Sequence, residues 1–109
     1  MKQGDIVTIS FPYTNLKIAK KRPALVVSNE NFHKSNDLLL VGISTKPGPL
    51  SHSIKISNKS LSEGRLLKES YVKFTNVMSF EKRLVLKKIG RLSPETVSKV
   101  YQKFNSLVS

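Results

Sequence analysis

Apolar residues come in short bursts along most of this chain and switch to a helical spacing only near its end. The run Ile6-Val7-Thr8-Ile9-Ser10-Phe11 follows the turn signal Gly4-Asp5, is rich in β-branched residues and stops at Pro12, so it predicts a first strand. Residues 12–22 are polar and basic and read as a mobile loop. Pro23 can open a strand because its missing N–H need not pair there, and residues 24–28 form the second strand. Residues 29–37 read as turn and short helix. Residues 38–45 form a third strand whose first half, Leu38-Leu39-Leu40-Val41, is apolar on both faces, as a central and doubly covered position requires. The stretch Lys46-Pro47-Gly48-Pro49-Leu50 cannot continue a ladder and must be a loop. Residues 53–57 alternate and predict a half-buried strand, and Gly64 marks a turn. Residues 66–73 and 76–80 read as two further strands, and residues 84–92 as a last, very basic one carrying Lys87, Lys88 and Arg91.

At Ser93 the period changes. Ser93 is a good N-cap, Pro94 suits the first helical position, and Glu95 favours the positive end of the helix dipole. Val97, Val100, Tyr101, Phe104, Leu107 and Val108 then recur every three or four residues as one apolar stripe. The pattern is mainly β with a C-terminal α-helix, in a single domain spanning residues 1–109. Short strands in so short a chain favour a small, strongly bent sheet or barrel, with the helix capping one open face.

Composition narrows the function classes. The chain has no cysteine, which excludes disulfides and thiolate metal sites. His33 and His52 lie in polar stretches and are too few for a zinc site. The formal net charge is +12, from 19 Lys+Arg against 7 Asp+Glu. A surplus of that size attracts polyanions: nucleic acid first, an acidic protein second. No apolar run is long enough to span a bilayer, and the N-terminus turns polar at once, so a soluble cytoplasmic protein is expected.

The sequence holds no spaced pair of carboxylates, no glycine-rich phosphate loop and no H-E-x-x-H. No metal site or cofactor is expected. What remains is Arg22, the pair Ser44-Thr45, and the stretch Tyr71-Val72-Lys73-Phe74-Thr75-Asn76, each at or near a predicted strand end. Cation, hydroxyl and amide groups of this kind could bind a phosphodiester and stabilise the extra charge of a pentacovalent phosphorane. RNA carries its own nucleophile in the 2′-OH, so its cleavage needs positioning and proton transfer rather than a metal. DNA lacks that hydroxyl.

The segments Gly4-Asp5-Ile6-Val7 with Phe11-Pro12, Lys21-Arg22-Pro23-Ala24-Leu25-Val26-Val27-Ser28, Ile43-Ser44-Thr45, Tyr71-Val72-Lys73 and Ile89-Gly90-Arg91-Leu92-Ser93 occur in the order and spacing of one known family. Over almost its whole length the chain resembles the MazF/PemK toxins of bacterial toxin–antitoxin pairs. The resemblance implies an SH3-like barrel with a C-terminal helix, assembled as a homodimer. It implies a sequence-specific, metal-independent endoribonuclease cutting single-stranded RNA to a 2′,3′-cyclic phosphate and a 5′-hydroxyl, and an acidic antitoxin that lies over the basic face and the loop of residues 12–22. Carried over by position, Arg22 matches the catalytic arginine, clamping phosphate and donating a proton to the leaving oxygen. Ser44 matches the catalytic threonine, with Thr45 a possible substitute. Tyr13, Lys20, Lys46, Lys73, Thr75 and Asn76 are the expected substrate-binding residues. Some members carry arginine and aspartate near Lys73 and Thr75, so an aspartate proton acceptor at Thr75 is not available here and the general base is unassigned. Two other readings are a non-catalytic toxin of this fold that poisons a protein such as gyrase, and a basic nucleic-acid-binding barrel without turnover.

Overall fold

The computed structural model describes residues 1–12 and 19–108, and within them every side chain except those of residues 11, 12, 19, 20 and 33. The first hairpin joins β1 (Asp5–Pro12) to β2 (Ala19–Val26), pairing Ile6 with Leu25, Ile9 with Arg22 and Pro12 with Ala19. The second strand therefore starts earlier than expected. Ala-Lys-Lys-Arg, residues 19–22, has little strand propensity and reads as loop, yet its backbone pairs with the end of β1. Long-range pairing overrides local preference there. Arg22 consequently sits inside a strand and not at its mouth.

Five more strands follow: β3 (Asp37–Ser44), β4 (Ser53–Ile56), β5 (Leu61–Gly64), β6 (Ser70–Glu81) and β7 (Val85–Leu92). They form one curled, half-barrel sheet in the order β4-β6-β3-β2-β1-β7-β5, every neighbouring pair antiparallel. β3 is central, as its apolar run predicts. Residues 70–81 are one strand of 12 residues where two shorter ones were expected. The pattern misleads because the register slips inside it: Val41 pairs with Val77 but Gly42 pairs with Lys73, leaving Phe74, Thr75 and Asn76 unpaired opposite β3. The bulge interrupts the alternation a strand would otherwise show. β5, an edge strand of 4 mostly exposed residues, went unpredicted. Residues 66–69 are not strand. The Asn58 carboxamide instead takes the Leu66 N–H (2.7 Å) and donates to the Leu66 carbonyl (3.2 Å), fixing that loop.

Successive residues feed two separate cores. Ile6, Leu25, Val41, Ile43, Val72 and Phe74 enter one; Val7, Ile9, Ala24, Val26, Leu38 and Leu40 enter the other. This double covering explains the near-continuous apolar runs of β1 to β3. A short helix α1 (Glu30–His33) is capped by Asn29, whose side chain accepts from the Phe32 N–H at 3.2 Å. The terminal helix α2 (Pro94–Val108) begins at Ser93, whose Oγ accepts from the Thr96 N–H at 3.3 Å. Val97, Val100 and Phe104 lie on the first core, and the Phe104 ring stands 5.8 Å from that of Phe74. The stripe ends there: Leu107 and Val108 are exposed. Tyr101 donates its hydroxyl to the Val27 carbonyl. No helix among the described residues is long and apolar enough to cross a membrane.

Asp5 is the buried polar group that ties the chain start to the end of β7. Its carboxylate accepts from the Lys2 backbone N–H (2.8 Å) and from Arg91 Nη1 (2.9 Å), with Lys88 Nζ at 3.4 Å. At the opening of β1, Gly4 takes φ +95°, a conformation that L side chains rarely adopt, and its N–H bonds the Val26 carbonyl.

Candidate active site

Alternation places the polar groups. Ala24 and Val26 face the second core, which sets Arg22 on that same face of β2; Leu38 and Leu40 do likewise for Gly42 and Ser44 on β3. The β2–β3 ladder runs from Val26↔Leu40 to Ala24↔Gly42 and stops. Continued, that register would set Pro23 abreast of Ile43 and Arg22 abreast of Ser44. Pro23 has no N–H to offer, so the strands part at this step while β2 stays paired with β1 through Thr8.

A cavity of about 340 Å³ opens in the fork, lined by Arg22, Pro23, Gly42, Ile43, Ser44, Lys73 and Asn76. Among the described residues its cations are Arg22 and Lys73, and no acid lines it. That combination attracts an anion. Ser44 Oγ accepts from the Lys46 backbone N–H at 3.1 Å, a bond that fixes the oxygen and leaves its own proton to be donated. Lys73 pairs with Gly42, and a β-carbon on Gly48 in the following loop would stand 3.3 Å from Lys73 Cε. The loop thus holds the lysine stem.

Of the expected site residues, the fold brings Arg22, Ser44, Lys73 and Asn76 together. Thr45 and Lys46 follow the end of β3, exposed, and contribute no side chain to the lining; Lys46 acts through its backbone. Thr75 is exposed in the bulge and is not a lining residue. Tyr13 and the side chain of Lys20 lie outside the described residues. Pro23, Gly42 and Ile43 were not anticipated. A glycine inside an apolar strand signals close backbone approach, and that signal could have found Gly42.

A larger hollow, about 610 Å³, lies beside Lys2, Asp5, Glu63, Lys88 and Arg91. Two of its cations are engaged: Lys88 bonds Glu63 at 2.5 Å, and Arg91 bonds Asp5. Hydrogen bonding to Glu63 raises the Lys88 pKa above its ordinary value; burial opposes this and Asp5 adds to it. The two carboxylates offset much of its positive charge. Among the described residues, no three His, Asp or Glu side chains gather as metal ligands do.

Residues 2–108 match the family model for the PemK-like, MazF-like toxin of type II toxin–antitoxin systems. No curated protein sequence matches the chain. Among solved structures, the chain is similar to an endoribonuclease from a mycobacterial species in complex with its cognate antitoxin, with TM-score 0.79 and 18% identity over 97% of this chain and 92% of that one. It is also similar to MazF in a MazE–MazF crystal form from Deinococcus radiodurans (TM-score 0.77, 14% identity, 99% and 95% covered). A third is the Mycobacterium tuberculosis toxin MazF-mt6, with TM-score 0.72 and 16% identity over 94% and 93%. Likeness at these identities speaks for the fold.

Proposed function

The chain belongs to the PemK-like, MazF-like toxins of type II toxin–antitoxin systems, and on that premise we propose that it is an endoribonuclease cutting single-stranded RNA in the fork between β2 and β3. The observation that supports this reading is the convergence of two cations and an oriented hydroxyl on one cavity that no acid among the described residues lines. A phosphodiester seated there lies against Arg22 and Lys73. The ribose 2′-oxygen attacks phosphorus as its proton passes to solvent water, the bond between phosphorus and the 5′-oxygen breaks, and that oxygen takes a proton from water. The products are a 2′,3′-cyclic phosphate and a 5′-hydroxyl. The transition state carries more negative charge on the phosphoryl oxygens than the substrate does. The Arg22 guanidinium clamps those oxygens and hydrogen-bonds the leaving one; the Ser44 hydroxyl donates to the phosphorane. Lys73 adds charge at the cavity wall.

The partner is an acidic antitoxin that covers this basic face, and the active toxin is a homodimer. The net charge of +12 supports the first of these, as do relatives solved together with their antitoxins.

The test is cleavage of a mixed-sequence single-stranded RNA by purified protein. Arg22→Ala is expected to lower the rate by on the order of 10² to 10³ or more while the circular dichroism spectrum is unchanged. The parent is expected to keep its full rate in EDTA. Parent-like cutting by the variant, or a strict need for added Mg²⁺, refutes the assignment.

A further inference from the structure

Among the described residues Lys73 makes no ion pair, so nothing charged fixes its long, flexible stem. An ammonium that swings through several positions stabilises a transition state less than one held where the charge develops. Packing against the stem must supply the order, and the loop after β3 supplies that packing.

The loop Lys46-Pro47-Gly48-Pro49-Leu50 is stiff. Its two prolines fix φ and each restricts the residue before it, so the segment moves as one piece. Ser53, at the start of β4, ties down its far end. Ser53 is only 6% exposed, and its Oγ donates to the Pro49 carbonyl at 2.7 Å; that oxygen also accepts from the His52 N–H at 3.2 Å. Gly48 lies between this clamp and the lysine: a β-carbon there would stand 3.5 Å from Ser53 Oγ and 3.3 Å from Lys73 Cε. Ser53 is also the register partner of Lys73 across β4 and β6, so the clamp and the lysine share one row and one face of the sheet.

We infer that Ser53 is a positioning residue for the reaction in the fork. Its hydroxyl holds the Pro49 carbonyl, which sets Gly48 against the Lys73 stem and aims the ammonium into the cavity. Ser53 does not itself line that cavity, so it acts only through the lysine. The inference rests on the reading of the fork as an RNA-cleaving site.

Two assays separate rate from affinity: single-turnover cleavage of a mixed-sequence single-stranded RNA, and anisotropy binding of a copy with 2′-deoxy sugars throughout, which cannot be cut. Ser53→Ala is expected to slow cleavage by about fivefold to tenfold while the Kd for the copy changes by less than about twofold, because the lysine is displaced but its charge stays at the cavity wall. Lys73→Met keeps the stem, removes the charge and is expected to slow cleavage on the order of tenfold. In that background Ser53→Ala is expected to slow cleavage further by less than about twofold, since no ammonium is left to aim. Gly48→Ala reaches the lysine without touching the hydroxyl. It is expected to slow the parent by about threefold and to be equally silent beside Lys73→Met, and it carries the test should Ser53→Ala fold poorly. A merely structural serine would lower rate and affinity together and slow the Lys73→Met protein as much as the parent. That multiplicative outcome, or a Ser53→Ala protein cutting at the parent's rate, overturns the inference. A parent that binds the 2′-deoxy copy but leaves the RNA whole overturns the cleavage reading, and the inference falls with it.

Discussion

Pro23 shapes the site by a group it lacks. It stays paired with β1 through Thr8, but the ladder toward β3 ends one residue later in the sequence, at Ala24. Replacing it with alanine restores an N–H at the point where the strands part and lets the fork close on the space the phosphate needs. Pro23→Ala is expected to reduce RNA cleavage by on the order of tenfold to a hundredfold, because small misplacements of reacting groups carry large penalties. The stability change is expected to stay within about 1 kcal/mol, chiefly from a freer unfolded chain. Single-turnover cleavage and a urea melt check the pair; an unchanged rate would show that the proline does not hold the cavity open. At this scale much was legible. Arg22, Ser44, Lys73 and Asn76 announce themselves as cation, hydroxyl and amide near strand ends. Gly42 and Pro23 matter through absent atoms, and their effect depends on which strand lies opposite, a fact no local pattern carries.

Elements with strong local signals were readable: β1, β3, β4 and β7 from apolar runs, and α2 from its cap and stripe. The failures share a cause. The first half of β2 is polar and is held by β1; β6 hides its continuity behind a bulge; β5 is an exposed stub paired only with β7. Each is specified by a distant partner. The docking of α2 gives a test at this scale. Burial pushes the Tyr101 phenol up to about 12 from its ordinary 10.0, the nearby Gln3 carboxamide pulling the other way. The folded state therefore holds this proton more tightly than the unfolded chain. Its contribution to stability is complete below pH 10, and declines as pH rises from about 10 to about 12. Urea melts of the parent are expected to show an alkaline loss that is smaller in Tyr101→Phe. That variant also loses stability at neutral pH, by about 1–2 kcal/mol, because the Val27 carbonyl loses its phenol donor. Equal alkaline loss in both proteins would place the titration elsewhere.

Over the whole molecule, charge is sorted. Asp5, Glu63, Glu69 and Glu81 each pair with a lysine or arginine, and none of them lines the fork. The surplus of +12 is thus left to meet a polyanion. Affinity for an uncleavable single-stranded RNA is expected to fall linearly with salt on logarithmic axes. Arg22→Ala is expected to flatten the slope by about 0.7, the contribution of one phosphate contact. Anisotropy titrations at several salt concentrations measure both slopes, and an unchanged slope would take Arg22 off the phosphate.

The two edges of the sheet are β4 and β5, of 4 residues each, one bearing Lys55 and the other Glu63. Such stubs offer a neighbouring molecule little unpaired backbone to copy, and they mark that little with charge. A β-rich protein accumulating at high concentration risks templated fibril growth along its open margins. The two stubs offer such growth no more than 4 residues apiece.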